Sequence, residues 1–182
     1  MAARIGEEVT TDFRSQLRDV TAERHRILDG RMGGIDLSTP CGRATFQEIH
    51  DIANARVLAA CDGQAAEATD YVRRAAPVTR GAGSDRPAPA DRPIHPDAVA
   101  YVMLGSQLGL AFLRKSVPEA LRTGILAREP EIAAWRSFLA RIVATPPEGE
   151  LRDRILADST RVFDIFLDAT DQILSAHHLR TE

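Results

Sequence analysis

The sequence predicts an all-α protein with one domain spanning residues 1–182. Apolar residues recur three and four positions apart along most of the chain, which is the period of an α-helix. No segment shows the strict alternation of apolar and polar residues that is typical of a strand. A chain of 182 residues is long enough to bury a core without disulfides or metal. We therefore expect one helical domain with six to eight helices.

The first two helices are predicted from amphipathic patterns. One extends from about Thr11 to Arg31, where Thr10 or Thr11 with Asp12 can cap its first turn. It should end in residues 30–34, which contain three glycines. The next is predicted from Arg43 to about Ala60, where apolar residues form a continuous stripe.

The middle of the chain is less regular. Residues 64–76 are rich in alanine and predict a more weakly patterned helix. Residues 77–96 hold five of the ten prolines, together with glycines and alternating arginines and aspartates. A loop of this length inside a compact domain is uncommon. It is either a solvated connector or a functional segment.

Helical patterning resumes at Asp97 and continues through the apolar run AVAYVMLGSQLGLAFLRK until Pro118. Gly105 and Gly109 lie on one face of this helix, and each costs about 1 kcal/mol relative to alanine in a helix interior. A destabilisation of this size indicates that the two positions need a residue without a side chain. Either another helix crosses here, or a flat ligand lies against bare backbone.

Three further helical segments complete the prediction. Short pieces are expected at 119–127 and at 131–144, and the second of these follows Pro130. The last helix should extend from about Glu148 to His177, with one broad apolar face. Pro146 and Pro147 separate it from the preceding segment.

Composition excludes several classes of function. A net charge of -3 argues against a nucleic-acid binder, because phosphate neutralisation needs a basic surface. The acidic N-terminal stretch does not resemble an export signal. Residues 98–113 fall short of the roughly 20 apolar residues that a membrane span needs. With two cysteines, read as reduced, the sequence predicts a cytoplasmic protein without a membrane partner.

Sequence motifs for common chemistries are missing. The chain has no P-loop, no dinucleotide-binding glycine motif, no nucleophile elbow and no zinc-protease motif. Its carboxylates fall mostly on polar helix faces, without the spacing of a di-iron bundle. Hydrolase and nucleotide chemistry is therefore poorly supported.

The five histidines have different contexts. His177 and His178 end the last helix, where cationic side chains favour the helix dipole. His95 lies in the loop without a helical partner for a metal pair. His50 has apolar neighbours, which is typical of a hydrogen-bonded core or surface histidine.

His25 is more informative because it falls at the edge of the apolar stripe of the first helix, beside Thr21. A half-buried histidine there is either structural or a metal ligand whose other ring nitrogen meets a carboxylate or water. Arg18 lies two turns earlier on nearly the same side, about 10 Å along the axis. A cation at that position suits carboxylates on the same ligand.

Two segments together resemble a known family. LRDVTAERHRILD (Leu17 to Asp29) resembles the first helix of haem oxygenases, which carries the histidine that binds haem iron. YVMLGSQLGLAFLRK (Tyr101 to Lys115) resembles the distal helix of that family, especially the bacterial branch associated with phytochromes. More weakly, Trp135 and the final helix look like the closing region of that branch. The resemblance implies a haem oxygenase-like multi-helical bundle.

The resemblance also implies roles for individual residues. His25 would ligate iron, and Gly105 and Gly109 would let the distal helix pass close over the macrocycle. Arg18 would pair with a haem propionate, and Arg136 is a second propionate candidate.

Other residues have less direct roles in this resemblance. Phe163 and Phe166 would pack on the haem, or are plain core aromatics. Thr21 and Asp29 would neighbour the proximal histidine.

Two positions depart from the family pattern. Ser106 stands where many members carry an aspartate that orders water near bound oxygen, so we take Ser106 as the candidate catalytic position. Leu110 replaces a glycine that often closes the motif. A leucine there either crowds the distal pocket or points into the core.

The function implied by this resemblance is oxidation of haem to biliverdin with release of iron and carbon monoxide. Haem would be both substrate and cofactor, and O2 and an external reductant would be consumed. A reductase or ferredoxin would supply electrons, and a bacterial phytochrome would accept the biliverdin. The alternative is a protein of the same fold that binds haem, a bilin or a partner without turnover.

Overall fold

The computed structural model describes residues 12–61 and 92–181, with side chains as far as His177. These residues form five α-helices and no strand, which confirms the predicted all-α fold class. The helices are α1 (Phe13–Met32), α2 (Pro40–Ala60), α3 (Pro96–Ser116), α4 (Ile132–Ala144) and α5 (Gly149–Thr181). Two short 3-10 helices, Glu119–Leu121 and Gly124–Ala127, connect α3 to α4.

The predicted helix starts agree closely with the caps in the structure. Asp12 caps α1 by accepting a hydrogen bond from the backbone N–H of Ser15 at 3.1 Å. Helix α2 begins three residues earlier than predicted, because Thr39 caps it and Pro40 suits a first helical position. Helix α3 begins at Pro96, as its early proline predicted.

Two predicted boundaries differ from the structure. Residues 119–127 were expected to be helical, but they form two 3-10 turns separated by a break at Arg122 and Thr123. Helix α5 extends to Thr181, four residues beyond the predicted end. The predicted helix at 64–76 and most of the predicted loop at 77–96 lie outside the described residues, which include only its last part, 92–96.

Helix α5 is the central element of the described core. It packs against α1, α2 and α3, while α4 packs on α3 and α1. Its buried residues include Ile155, Val162 and Ala169. Helices α1 and α3 make few direct contacts with each other. Both helices therefore pack against α5, and a gap lies between them.

A buried carboxylate joins α5 to the start of α3. The side chain of Asp158 is 0% exposed, and its Oδ2 accepts a hydrogen bond from the backbone N–H of His95 at 2.8 Å. Arg161 donates to its Oδ1 at 2.8 Å, and Arg92 does so at 3.3 Å. Burial alone would raise the pKa of Asp158, but these donors lower it below its ordinary value. The carboxylate therefore stays charged and fixes the segment that leads into α3.

Among the described helices, α3 is the one that is long and apolar enough to cross a membrane. The core helix of a soluble protein meets the same criterion. Val99, Val102 and Met103 of α3 are buried in the core cluster.

Candidate ligand-binding cleft

A large cleft lies in the gap between α1 and α3, with a volume of about 1090 Å³. Helix α1 contributes one wall and α3 the opposite wall, while Phe163 and Phe166 of α5 also line it. Phe46 and His50 of α2 add to its lining. Drug-sized ligands occupy pockets of roughly 300–1,000 Å³. The cleft is therefore large enough for a bulky planar ligand.

The cleft brings together most of the residues that the sequence singled out as a site. These are Arg18, Thr21, His25, Asp29, Gly105, Ser106, Gly109, Leu110, Phe163 and Phe166. Arg136 is exposed on α4 and is not among the lining residues. Its neighbour Trp135 lines the cleft instead.

His25 projects from α1 into this space. Its side chain is 57% exposed, more than the half-buried position predicted, because it borders the open cleft. Its Nδ1 lies 2.8 Å from Oδ2 of Asp29, one turn further along α1. A carboxylate at this distance favours the tautomer of the neutral ring that has its proton on Nδ1 and its lone pair on Nε2. Metal-binding histidines are commonly oriented in this way by a carboxylate.

Thr21 and Arg18 lie on the same wall. Thr21 is buried, and its hydroxyl donates to the Leu17 carbonyl at 2.7 Å. Burial raises the pKa of Tyr101 on α3, and the nearby Thr21 side chain opposes that shift. The Arg18 side chain is largely exposed, 3.6 Å from Asp19, so its charge remains accessible from the cleft.

The two glycines of α3 have different surroundings. A Cβ added to Gly105 would lie 3.5 Å from the Trp135 ring, so α4 approaches the helix at this point. A Cβ added to Gly109 would meet nothing within 4 Å among the described residues. The helix-crossing interpretation therefore suits Gly105, while Gly109 borders open space in the cleft.

The two departures from the family pattern can now be placed. Leu110 packs against the smaller hydrophobic cluster, which contains Phe46, Val117 and Ile125, so it points toward the core more than across the cleft. Ser106 is exposed on the cleft wall. Its hydroxyl donates to the Met103 carbonyl at 3.0 Å, so that proton is directed toward its own helix.

Phe163 and Phe166 belong both to the core and to the cleft wall. They belong to the main hydrophobic cluster and also line the cleft. The Phe163 ring centroid lies 5.6 Å from that of His25. The cleft wall and the core therefore share these two aromatic side chains.

Sequence reasoning missed His50 as a lining residue, although its core setting was one of the predicted alternatives. Only 7% of the residue is exposed, and its Nδ1 lies 2.8 Å from the Phe46 carbonyl. Burial lowers the pKa of His50 to about 4, against the weaker opposing effect of this hydrogen bond. The ring is therefore neutral at pH 7.

Protein groups alone do not form a metal site in the described part of the chain. No group of three or more histidine, cysteine, aspartate or glutamate side chains lies close enough there to hold an ion. Both cysteines are free thiols, Cys61 buried and Cys41 exposed. A metal bound by His25 would therefore require further ligands from a cofactor or solvent.

Comparison of the chain with family models, curated proteins and solved structures finds no match in any of the three.

Proposed function

We propose that the chain binds haem in the cleft between α1 and α3 and oxidises it to biliverdin, with release of iron and carbon monoxide. The observation that carries the proposal is the position of His25 on the cleft wall, with Asp29 2.8 Å from its Nδ1 and with Nε2 as the other ring nitrogen that a ligand could meet. Haem would supply the oxidative chemistry at its iron, with O2 and electrons from an external reductase or ferredoxin.

The lining of the cleft fits an amphiphilic macrocycle. Leu108 and Phe112 of α3 are exposed apolar side chains on its wall, and a ligand with an apolar body would cover them. Arg18 and Arg128 also line the cleft and supply cations for carboxylates at the edge of the ligand. Gly109 leaves room for a flat ring to approach the backbone.

The residues of the chain would bind, orient and shield the ligand. His25 would offer its Nε2 nitrogen to the ligand, and Asp29, 2.8 Å from Nδ1, would favour the tautomer that leaves Nε2 unprotonated. Phe163 and Phe166 exclude water from the α5 side. Biliverdin would then pass to an acceptor such as a bacterial phytochrome.

Ser106 favours a second candidate function, binding of haem or a bilin without turnover. Its hydroxyl proton is bonded to the Met103 carbonyl, so in this rotamer Ser106 can accept but not donate a hydrogen bond in the cleft. A site that delivers protons to bound oxygen would need a donor here. Turnover would therefore require Ser106 to rotate or a water to donate in its place.

A hemin titration tests the binding step. Wild-type protein should develop a Soret band, and His25→Ala should lose or shift it because the axial nitrogen is removed. His177→Ala is the matched control, since His177 lies at the end of α5 and does not line the cleft. The absence of a Soret band in wild-type protein would defeat the proposal. An unchanged band in His25→Ala would exclude His25 as the ligand.

A turnover assay separates the two candidate functions. With a reductant and O2, decay of the Soret band into biliverdin absorbance supports the oxygenase. Retention of bound haem without bilin supports the binder. Ser106→Ala should slow turnover by about tenfold if the hydroxyl orders water, which is less than the roughly 10²–10⁴-fold that a direct general acid–base group contributes.

A further inference from the structure

His50 is a buried histidine on the cleft wall that the proposed chemistry leaves without a role. Its ring packs against Phe46 at 4.4 Å and Phe166 at 5.9 Å between centroids. Both aromatic residues line the same cleft. The ring of His25 packs against Phe163, which lies on α5 as Phe166 does. The two histidines therefore contact neighbouring parts of one aromatic wall.

The hydrogen bond to Phe46 fixes the tautomer of His50. A backbone carbonyl can only accept, so the Nδ1 atom, 2.8 Å away, carries the proton. Nε2 is then an unprotonated acceptor, and the low pKa of the ring keeps it so at pH 7. Among residues 12–61 and 92–177, no hydrogen-bond partner of Nε2 is found.

Nε2 is not among the fully buried side-chain atoms without a partner in the described residues, so it keeps some exposure and a donor can reach it. Because His50 lines the cleft, a molecule in the cleft can supply that donor. The apolar rings of Phe46 and Phe166 exclude water from the surroundings and strengthen such a bond. The donor group of the ligand therefore contributes to recognition at this position.

We propose that Nε2 of His50 accepts a hydrogen bond from a pyrrole-type N–H of an open-chain tetrapyrrole, and so makes the cleft selective for the metal-free bilin at this position. The inference rests on the proposed function, because it assumes that haem and bilin share the cleft. In haem all four ring nitrogens bind iron and none carries a proton. A bilin has no metal and presents N–H groups. His25 then recognises the iron and His50 recognises the product.

Two substitutions of His50 isolate the contribution of its Nε2 atom to ligand binding. His50→Asn keeps an amide near Nδ1 that can donate to the Phe46 carbonyl, but it does not reach into the cleft. His50→Gln places an amide oxygen near the position of Nε2 and restores the acceptor. Comparison of the two variants separates the contact in the cleft from the contact within α2.

Biliverdin and hemin are titrated separately into wild-type protein and both variants, by absorbance. His50→Asn should weaken biliverdin binding by about tenfold, the size of one buried hydrogen bond. His50→Gln should stay within about threefold of wild type. Hemin affinity should change by less than about twofold in both variants, because hemin offers no N–H to this atom.

The outcomes decide the two proposals separately. Unchanged biliverdin affinity in His50→Asn, an equal loss of hemin affinity, or a wild-type protein that does not bind biliverdin would each overturn the role of His50. A wild-type protein without a Soret band defeats the oxygenase proposal, while its biliverdin titration still decides the His50 proposal.

A spectroscopic measurement on wild-type protein does not depend on how the variants fold. In protein labelled with isotopic nitrogen at histidine, the Nε2 resonance of His50 should move on addition of biliverdin. Zinc protoporphyrin, which is a diamagnetic metalloporphyrin without N–H groups, should produce a much smaller shift, because only the ring current of the macrocycle acts on the nitrogen. A resonance that is unchanged by biliverdin contradicts the hydrogen bond.

Discussion

Helix α1 faces α5 on one side and α3 on another, and its packing on these two sides is very different. Toward α5, Phe13 and Leu17 are buried, and Arg24 pairs with Asp164 at 2.6 Å. Toward α3, the same helix borders the cleft, and the His25 side chain there is 57% exposed. We call the interface of α5 with α1, α2 and α3 the closed side of the molecule. This interface holds the helices in place while the cleft remains open.

This difference shows how an open site is compatible with a stable fold. Exposed Leu108 and Phe112 on the cleft wall contribute little to folding, because their apolar surface remains in water. The core cluster on the closed side, together with Asp158, supplies the compensating stability. Substitutions on the closed side should affect folding, and substitutions in the cleft should affect ligand binding.

The largest expected effect is on the closed side. Asp158→Ala removes a fully buried carboxylate that accepts hydrogen bonds from His95 and Arg161. Loss of one partner of a buried ion pair costs about 3–5 kcal/mol, so the free energy of unfolding should fall by that amount. Chemical denaturation monitored by circular dichroism measures it.

Asp153→Ala on the same helix is the matched control. The Asp153 side chain is largely exposed, 3.4 Å from Arg152, and surface pairs contribute about 0–1 kcal/mol. Equal losses in the two variants would show that the position of Asp158 has no special role in stability.

A smaller effect is expected where the closed side meets the cleft, at His50. The unfolded chain binds a proton at this side chain below about pH 6.5, whereas the folded chain does so only below about 4. The unfolded state therefore gains protons first as the pH falls, and the free energy of unfolding should decrease by about 3 kcal/mol between pH 7 and pH 4.

Other groups also titrate in this range, so the comparison is made with His50→Asn. Subtracting the pH profile of this variant from that of wild type isolates the contribution of His50. A difference that does not vary between pH 7 and pH 4 would mean that His50 is not held neutral by burial.

The smallest change in stability is expected in the cleft itself. Gly109→Leu removes a glycine from a helix interior and meets nothing within 4 Å, so stability should rise by about 0.8 kcal/mol. Hemin affinity should fall at least tenfold, because the leucine occupies ligand space. Thermal unfolding and the Soret titration measure the two effects.

Gly30→Leu is the matched control for this change. Gly30 also lies within a helix with nothing within 4 Å of an added Cβ, but it does not line the cleft. It should give the same gain in stability with unchanged hemin binding. A similar loss of hemin affinity in both variants would contradict the assignment of the cleft as the binding site.

Much of the fold is predictable from local physical chemistry. Periodicity places the helices, and capping side chains such as Asp12 place their ends, because both depend on contacts within a few residues. Helix α2 starts before the predicted Arg43 because Thr39 caps it and Pro40 occupies its first turn. Residues 119–127 differ because their apolar residues, such as Ile125 and Leu126, are buried by a 3-10 turn.

The sequence by itself determined that the chain is helical, and it singled out His25 and Gly109 as residues that need an explanation. Only the tertiary structure decided that α1 and α3 stand apart on α5, so that these residues line one cleft. It also showed that Gly105 faces the Trp135 ring, whereas Gly109 borders open space. Trp135 and His50 line the cleft, and Arg136 does not. Helical periodicity specifies which face of a helix is apolar, but the partner of each face depends on contacts between residues far apart in the chain.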